Sequence, residues 1–206
     1  MTSPRIHSPS EAIRTERLLL RPLSPTDSDG VFAIRSDPRV LYWTEPDTRK
    51  KSDEWMNLRL ESKKTMTYTV SLLPSQSSSP TKYPDPSKKQ DLQIIGLTGA
   101  HSLPEIGYIF HPSSWGHGFA TEALGAWIER YWQKYPEGHP VLDGEEKGYL
   151  KAVTGPGGEG SRAVLRKCGF KWWGEEEVVD ERLGAKERNM RVVLQEFRLQ
   201  KPKFQT

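Results

Sequence analysis

The chain has 206 residues, with 30 Lys and Arg against 27 Asp and Glu for a net charge of +3, and it contains one cysteine. This length suits a single domain with a sizeable core, and the scattered charges argue against a nucleic acid or an anionic membrane as partner. One cysteine excludes an intrachain disulfide and a cysteine-rich metal site, and no apolar run approaches the roughly 20 residues that cross a bilayer.

The opening residues also lack the apolar stretch of a secretory signal peptide, and the five histidines show none of the short spacings of metal ligands. We therefore expect a cytoplasmic protein, monomeric or homodimeric, that needs no metal ion. Its partner is expected to be a small molecule or a peptide.

The first predicted elements follow a tail. Residues 1–14 are rich in Ser and Pro and have no periodicity, which predicts a flexible tail. Arg17–Leu23 combines apolar residues with flanking arginines and predicts the first strand. Ser24 is a suitable N-cap, and the Pro and Asp that follow it predict a short helix ending near Asp37. A second helix is expected over about residues 49–63.

Three further predicted strands surround a Ser- and Pro-rich insertion. Residues 67–73 are rich in strand-forming residue types. Nine of the seventeen residues over 74–90 are Ser or Pro, so this segment predicts an insertion loop that cannot bury enough apolar surface to fold. Strands resume at Asp91 and over Glu105–Phe110, and these two are expected to be antiparallel neighbours.

The strongest helix pattern follows Gly118. Apolar side chains recur there at intervals of three or four residues as far as Pro136, which predicts one long helix with a buried face. Residues 149–154 then predict a strand, and Ser161–Cys168 predicts a short helix that ends at Gly169.

The last two predicted strands cover residues 171–173 and 189–199. The segment between them carries the acidic run over 175–181, which is expected to be a loop. Because strands and helices alternate along the chain, the predicted class is mixed α/β.

The segment from Ser113 to Ala123 places Gly116 and Gly118 between a strand and the long helix. A tight turn there would present backbone N–H groups and the positive end of the helix to an anion, which favours a phosphate cradle. The alternative, from the residues alone, is that the two glycines only form a turn.

Several motifs, in this order, are similar to one known family. T-E-R-L-L-L-R-P-L lies near the start, E-I-G-Y-I-F and W-G-H-G-F-A-T-E-A-L surround the glycines, and S-R-A-V-L-R-K-C-G-F follows later. Together they resemble the GNAT superfamily of N-acetyltransferases, and most closely its subfamily of ribosomal-protein alanine N-acetyltransferases. The resemblance covers about residues 15–199.

The resemblance implies a single GNAT domain over residues 15–199, followed by a tail over 200–206. Its central twisted sheet is expected to be mixed but mostly antiparallel, with about seven strands flanked by about four helices. The fourth and fifth strands of this plan, here Glu105–Phe110 and Tyr149–Thr154, are expected to splay apart so that the pantetheine arm of acetyl-CoA lies between them.

The resemblance also implies acetyl-CoA as co-substrate, with its pyrophosphate held by backbone N–H groups of the glycine segment. A side chain at Gly118 would obstruct the phosphate. The expected cofactor-binding residues are Ile109, Phe110, Trp115, Gly116, His117, Gly118, Phe119, Ala120, Thr121 and Ser161.

Three positions depart from the pattern of the family. Trp115 stands where an arginine or glutamine begins the loop, and Gly158 stands where an asparagine contacts the pantetheine arm. Leu165 occupies the position of the tyrosine that many relatives use as an acid. These departures favour an alternative function, a catalytically weak or inactive CoA-binding module for regulation or interaction.

Two side chains are candidates for the chemistry of acetyl transfer, which requires loss of an amine proton and a proton for the departing thiolate. Glu105 is the candidate base because it opens the strand beside the expected acetyl group; alternatively, it is an exposed carboxylate at a strand end. The resemblance implies Ser161 as the acid; alternatively, it caps a helix. Tyr108 and Cys168 are expected to be packing residues.

The resemblance places acceptor specificity in two segments, which here contain Tyr42 and Trp43 in the first and Glu175 in the acidic run of the second. An acidic rim attracts a cationic amine. The expected acceptor is therefore a primary amine, either a protein N-terminus or a small amine. The alternative is that both segments are solvated surface loops.

Overall fold

The computed structural model describes residues 11–40, 48–74, 92–180 and 189–203. Within these ranges the helices are α1 (Ser28–Arg35), α2 (Arg49–Glu61), α3 (Phe119–Lys134) and α4 (Glu159–Lys167). The strands are β1 (Ile13–Arg14), β2 (Leu18–Pro22), β3 (Met66–Leu72), β4 (Ile94–Ser102), β5 (Glu105–Phe110), β6 (Tyr149–Thr154), β7 (Lys171–Val179) and β8 (Arg191–Gln200).

The described strands form one sheet of eight in the order β1-β2-β3-β4-β5-β6-β8-β7. Neighbouring strands are antiparallel except for β5 and β6, which are parallel. The main core lies between the sheet and α3 and α4, and a second core lies between the sheet and α1 and α2. This arrangement confirms the predicted fold class, with one strand more than the seven or so expected.

The additional strand is β1, which pairs Ile13 with Leu20 and Arg14 with Leu19. Ile13 is 7% exposed and belongs to the main core. The sheet thus begins inside the segment 1–14, whose composition predicts a tail. A strand of two residues leaves no periodic pattern in the sequence, so it could not be predicted. Most of the predicted insertion over 74–90 lies outside the described residues.

Helix α3 builds the main core because its apolar residues recur on one face. Leu124 and Trp127 are at most 1% exposed. On the opposite face of the sheet, α1 and α2 bury Val31 and Met56 against Leu97 of β4. Helices therefore cover both faces of the sheet. Because α3 is packed into the rigid main core, it also fixes the end of β5 against that core.

The acidic run belongs largely to a strand, which corrects the predicted loop over 175–181. Glu175, Glu176 and Glu177 lie in β7, and they pair with residues 193–195 of β8. Because β7 is the edge strand, the three side chains are exposed and their charges cost little. The partner strand β8 supplies the backbone hydrogen bonds, which local sequence does not reveal.

The longest described helix, α3, has 16 residues, and none of the helices in these four ranges is both long and apolar enough to cross a bilayer. The same ranges contain no group of three or more His, Cys, Asp or Glu side chains placed to hold a metal ion.

Replacing Ile13 with Ala is expected to lower the free energy of unfolding by about 2 kcal/mol, because it removes a buried side chain from the main core. Arg14→Ala is the control, since Arg14 is the exposed neighbour in the same strand and its loss should cost less than about 0.5 kcal/mol. Urea denaturation followed by tryptophan fluorescence measures both values. Equal effects of the two substitutions would show that β1 contributes nothing to stability.

Candidate functional site

Strands β5 and β6 are joined at only one end. Glu105 and Lys151 form the single ladder pair between them, and the N–H of Lys151 donates to the carbonyl oxygen of Pro104 over 3.0 Å. Both strands are fully described, and beyond this pair they diverge toward Phe110 and Thr154, as predicted. The resulting wedge is bordered by backbone N–H and C=O groups that need a partner from outside the sheet.

A glycine turn, residues 115–118, leads to α3 at the open end of the wedge. Gly116 and Gly118 have φ angles of +77° and +79°, which other residues adopt only with strain. The first backbone hydrogen bond of α3 runs from the N–H of Glu122 to the carbonyl oxygen of Gly118 over 3.1 Å. Among the described residues, the N–H groups of residues 116–121 have no acceptor. This turn can therefore bind an anion such as a diphosphate.

The indole of Trp115 is tied to the end of β5. Its Nε1 donates a hydrogen bond to the carbonyl oxygen of Phe110 over 2.8 Å, while half of the residue's surface stays exposed. Trp115 thus supplies no charge to the turn. It fixes the connection between the open edge of the wedge and the turn.

The phenol of Tyr108 reaches from β5 to the first half of α4. Its oxygen donates to the carbonyl oxygen of Ser161 over 2.9 Å and lies 2.7 Å from Oγ of the same serine. Burial raises the pKa of Tyr108 to about 12, so the phenol keeps its proton at neutral pH. Tyr108 is expected from the sequence to be a packing residue, but the structure brings its hydroxyl to the predicted acid.

Glu105 lies at the closed end of the wedge between two basic side chains. Its Oε1 is 3.1 Å from Nε2 of His101, and its Oε2 is 3.3 Å from Nζ of Lys151. The hydrogen bond with His101 outweighs the effect of partial burial and, with the charge of Lys151, holds the pKa of Glu105 below its ordinary value. Glu105 is therefore a carboxylate at neutral pH, and its basicity is low.

Alternation along β5 puts these groups on opposite faces of the sheet. Ile109 packs against the core of α1 and α2, and Phe110 packs into the core of α3. Glu105 shares the face of Ile109, whereas Tyr108 shares the face of Phe110. A molecule in the wedge is therefore open to the carboxylate from one face and to the Tyr108–Ser161 pair from the other.

A family model described as an acetyltransferase (GNAT) domain matches residues 17–171, which is more than half of the chain. The chain belongs to the GNAT acetyltransferase family. This membership confirms the predicted family and enzyme class, an N-acetyltransferase that takes acetyl-CoA as its acetyl donor.

Individual proteins are similar to this GNAT enzyme in sequence or in fold. The uncharacterized protein YkkB of Bacillus subtilis (strain 168) is 26% identical over 160 residues, 77% of this chain and 84% of that protein. The crystal structure of an acetyltransferase (GNAT family) from Bacillus anthracis has a TM-score of 0.67 at 19% identity and covers 93% of this chain and 99% of its own. RimL, a ribosomal L7/L12 alpha-N-protein acetyltransferase solved with coenzyme A, has a TM-score of 0.68 at 12% identity. The match covers 92% of this chain and 98% of RimL. At these identities, the solved structures show a shared fold.

Local packing accounts for Gly158, where the resemblance implies an asparagine. Gly158 is the N-cap of α4, and a Cβ atom there would lie 2.9 Å from the carbonyl oxygen of Gly155, so an asparagine would require the backbone to shift. Beside it, Oγ1 of Thr154 is buried without a hydrogen-bond partner among the described residues. Leu165 is fully buried in the main core and offers no proton donor.

Tyr42 and Trp43 lie outside the described residues. Cys168 packs against the main core, and burial raises the pKa of its thiol to about 11. At neutral pH the thiol is therefore protonated, as a packing residue requires.

The structure places Glu175 away from Glu105. Glu175 pairs with Gln195, which pairs in turn with Thr154. Cross-strand partners share a face, and alternation along β6 puts Thr154 on the face opposite to that of Glu105. Glu176, the next residue of β7, alternates to the face of Glu105. The sequence could not show this because the face depends on the register with β8.

Replacing Gly118 with Ala is expected to weaken the binding of coenzyme A about tenfold, because the strain of a positive φ displaces the free N–H groups of the turn. Gly144→Ala is the matched control, since Gly144 has a φ of +51° and no atom within 4 Å of an added Cβ, and it lies at the other end of β6. Titration calorimetry measures both affinities. If the two variants bind coenzyme A equally well, the turn is not an anion site.

Proposed function

We propose that this enzyme transfers the acetyl group of acetyl-CoA to a primary amine by direct attack in a ternary complex. The acceptor class is a protein N-terminus or a small amine. One observation carries the proposal: the wedge between β5 and β6 ends in a turn whose N–H groups have no acceptor among the described residues. Such a site suits a donor with an extended polar arm and a diphosphate.

In this proposal the diphosphate accepts hydrogen bonds from the N–H groups of residues 116–121. The pantetheine arm lies along the open edge of β5, beside the backbone of Ile109 and Phe110. Because main-chain groups make these contacts, Trp115 can replace the arginine or glutamine that the family pattern leads us to expect, without loss of the site. The rings of His117 and Phe119 stack 5.5 Å apart beside the turn and border the diphosphate.

Glu105 is proposed to receive the acceptor amine. An α-amine has a pKa of about 8 and a lysine-like amine about 10.4, so most acceptors arrive as ammonium ions. The ionised carboxylate attracts the ammonium ion and accepts a hydrogen bond from it, and the proton then leaves through water. Because the pKa of Glu105 is lowered, it is a weaker base than an isolated glutamate and its contribution is mainly electrostatic.

Ser161 and Tyr108 are proposed to stabilise the departing thiolate. As the Ser161 hydroxyl turns its proton to the sulfur, the Tyr108 phenol turns its own proton from the Ser161 carbonyl oxygen to the serine Oγ, 2.7 Å away. A phenol with a pKa of about 12 does not give its proton to a thiolate whose conjugate acid has a pKa of roughly 8.5, so the pair donates hydrogen bonds. The proton that completes the thiol comes from the amine nitrogen after attack on the carbonyl carbon.

The likeness to RimL supports the protein N-terminus as acceptor, because that protein is named for alpha-N-acetylation of ribosomal L7/L12. The ionised carboxylate of Glu105 suits a cationic group. The cytoplasmic location and the monomeric or homodimeric state stay predictions.

The deciding experiment offers acetyl-CoA with a mixture of N-terminal peptides, lysine peptides and small amines, and identifies products by mass spectrometry. Acetylation of one amine class, with an equal amount of thiol released, is expected. Thiol release without any acetylated amine would contradict the proposal.

The alternative function, a CoA-binding module with weak or no turnover, is favoured by one observation. Leu165 is fully buried and supplies no acid. Calorimetric binding of coenzyme A without product from any acceptor would support this alternative over the enzyme.

The pH dependence of kcat/KM is expected to follow the acceptor. The lowered pKa of Glu105 keeps it ionised throughout the neutral range, so it contributes no inflection there. Activity should rise with pH until the acceptor amine is neutral, with a midpoint near 8 for an α-amine and near 10 for a lysine-like amine. A midpoint between 5 and 7 that is the same for both acceptors would assign the titration to the enzyme.

Ser161→Ala and Tyr108→Phe are each expected to lower kcat about tenfold or more, with little change in the KM for acetyl-CoA. The first removes the hydrogen bond to the developing thiolate, and the second removes the phenol that supports the serine hydroxyl as it donates. Tyr135→Phe, at the far end of α3, is the control for loss of a phenol. Steady-state kinetics of thiol release gives the values. If Tyr108→Phe behaves like the control, the phenol has only a packing role.

A further inference from the structure

The carboxylate of Glu122, in the first turn of α3, is held by the chain segment before β2. Oγ1 of Thr15 donates to Oε1 over 2.5 Å, and the backbone N–H of Arg17 donates to the same oxygen over 3.1 Å. The guanidinium of Arg17 contacts Oε2 through Nε at 2.7 Å and Nη2 at 2.6 Å. These contacts outweigh partial burial and hold the pKa of Glu122 below its ordinary value.

The third nitrogen of the Arg17 guanidinium reaches the glycine turn. Nη1 donates to the carbonyl oxygen of His117 over 3.0 Å, and the guanidinium carbon lies 4.7 Å from the centre of the Phe119 ring. The planar fork of an arginine can serve a carboxylate and a carbonyl at once with fixed geometry. Glu122 therefore orients Arg17, and Arg17 orients the peptide that follows His117.

The orientation of that peptide decides where the Gly118 N–H points. The carbonyl of His117 and the N–H of Gly118 belong to one planar trans peptide, so they point in opposite directions. With the carbonyl directed at Arg17, the N–H faces away from Arg17. Glycines at 116 and 118 leave the turn many conformations, so a contact from outside the turn is needed to select one.

We propose that Thr15, Arg17 and Glu122 form an anchor that fixes the His117–Gly118 peptide for binding of the diphosphate of acetyl-CoA. This inference rests on the proposed function, in which the turn holds the diphosphate. Arg17 acts as a positioning residue, since its charge is paired with Glu122 and its contact is with the backbone of the turn. Fixing the donors before the ligand arrives lowers the cost of ordering them on binding.

If binding of coenzyme A depended on charge alone, the opposite effect of changing Glu122 would be expected. Glu122 is a negative charge in the first turn of the helix that is proposed to receive an anion. If only charge mattered, Glu122→Gln would remove a repulsive group, leave Arg17 unpaired, and strengthen the binding of coenzyme A. If the anchor matters, the same substitution weakens binding, because the neutral amide no longer holds the guanidinium.

The test is titration calorimetry of coenzyme A with the full-length enzyme. Glu122→Gln is expected to weaken binding about tenfold, with the kcat at saturating acetyl-CoA and the KM for the acceptor unchanged. Glu129→Gln, on the same helix and bonded only to Gln133 among the contacts described, is the matched control and should bind as the wild type does. Arg17→Lys keeps the charge but not the fork, so it should also weaken binding.

The NMR chemical shift of the Gly118 amide in the absence of ligand gives a second readout, since release of the His117–Gly118 peptide changes the surroundings of that N–H whatever the overall stability of the variant. Wild-type or tighter binding by both Glu122→Gln and Arg17→Lys would overturn the anchor. If those variants bind normally while Gly118→Ala binds weakly, the anchor fails and the proposed function stands. If the wild type does not bind coenzyme A, both fail.

Discussion

The structure depends on incomplete pairing between two parallel strands. β5 and β6 share one ladder pair, between Glu105 and Lys151, although each strand is well paired on its other edge, β5 with β4 and β6 with β8. Unpaired backbone groups inside a sheet are costly unless water or a ligand satisfies them. The fold thus leaves a row of donors and acceptors open at the place where the proposed function puts the pantetheine arm.

The groups at the two ends of the wedge between β5 and β6 determine what the site can bind. At its closed end, Lys151 and His101 keep Glu105 ionised. Toward the open end, the glycine turn presents the start of α3, which cannot move freely because Trp127 and its neighbours are buried in the main core. The opening is therefore bordered by a negative group at one end and free N–H donors at the other, an order that suits an ammonium acceptor and an anionic donor.

Much of this could be predicted from the sequence because the signals are local. The period of α3, the glycines at 116 and 118 and the order of the motifs predict the helix, the turn and the family. Strand β1 is too short to carry a pattern, and β7 contains three consecutive glutamates that become a strand only through β8. A few adjacent residues determine glycine conformations and helix starts, whereas the pairing of strands depends on residues far apart in the sequence.

The contacts that define the site are missed for the same reason. Tyr108 and Ser161 are 53 residues apart, and Thr15 and Glu122 are 107 residues apart. Each pair forms because the sheet brings one side chain, on β5 for Tyr108 and between β1 and β2 for Thr15, to the start of a helix that comes later in the chain. Residue type alone therefore suggests packing for Tyr108 and gives no sign of the role of Glu122.

The edge strand β7 has a consequence for how copies of this protein can associate. An uncovered sheet edge is a template for joining another sheet, yet this one carries Glu175, Glu176 and Glu177 side by side and exposed. Two copies that joined through this edge in antiparallel fashion would bring like charges together along the seam. The acidic edge thus disfavours the joining of two copies through β7 and the growth of a continuous ribbon.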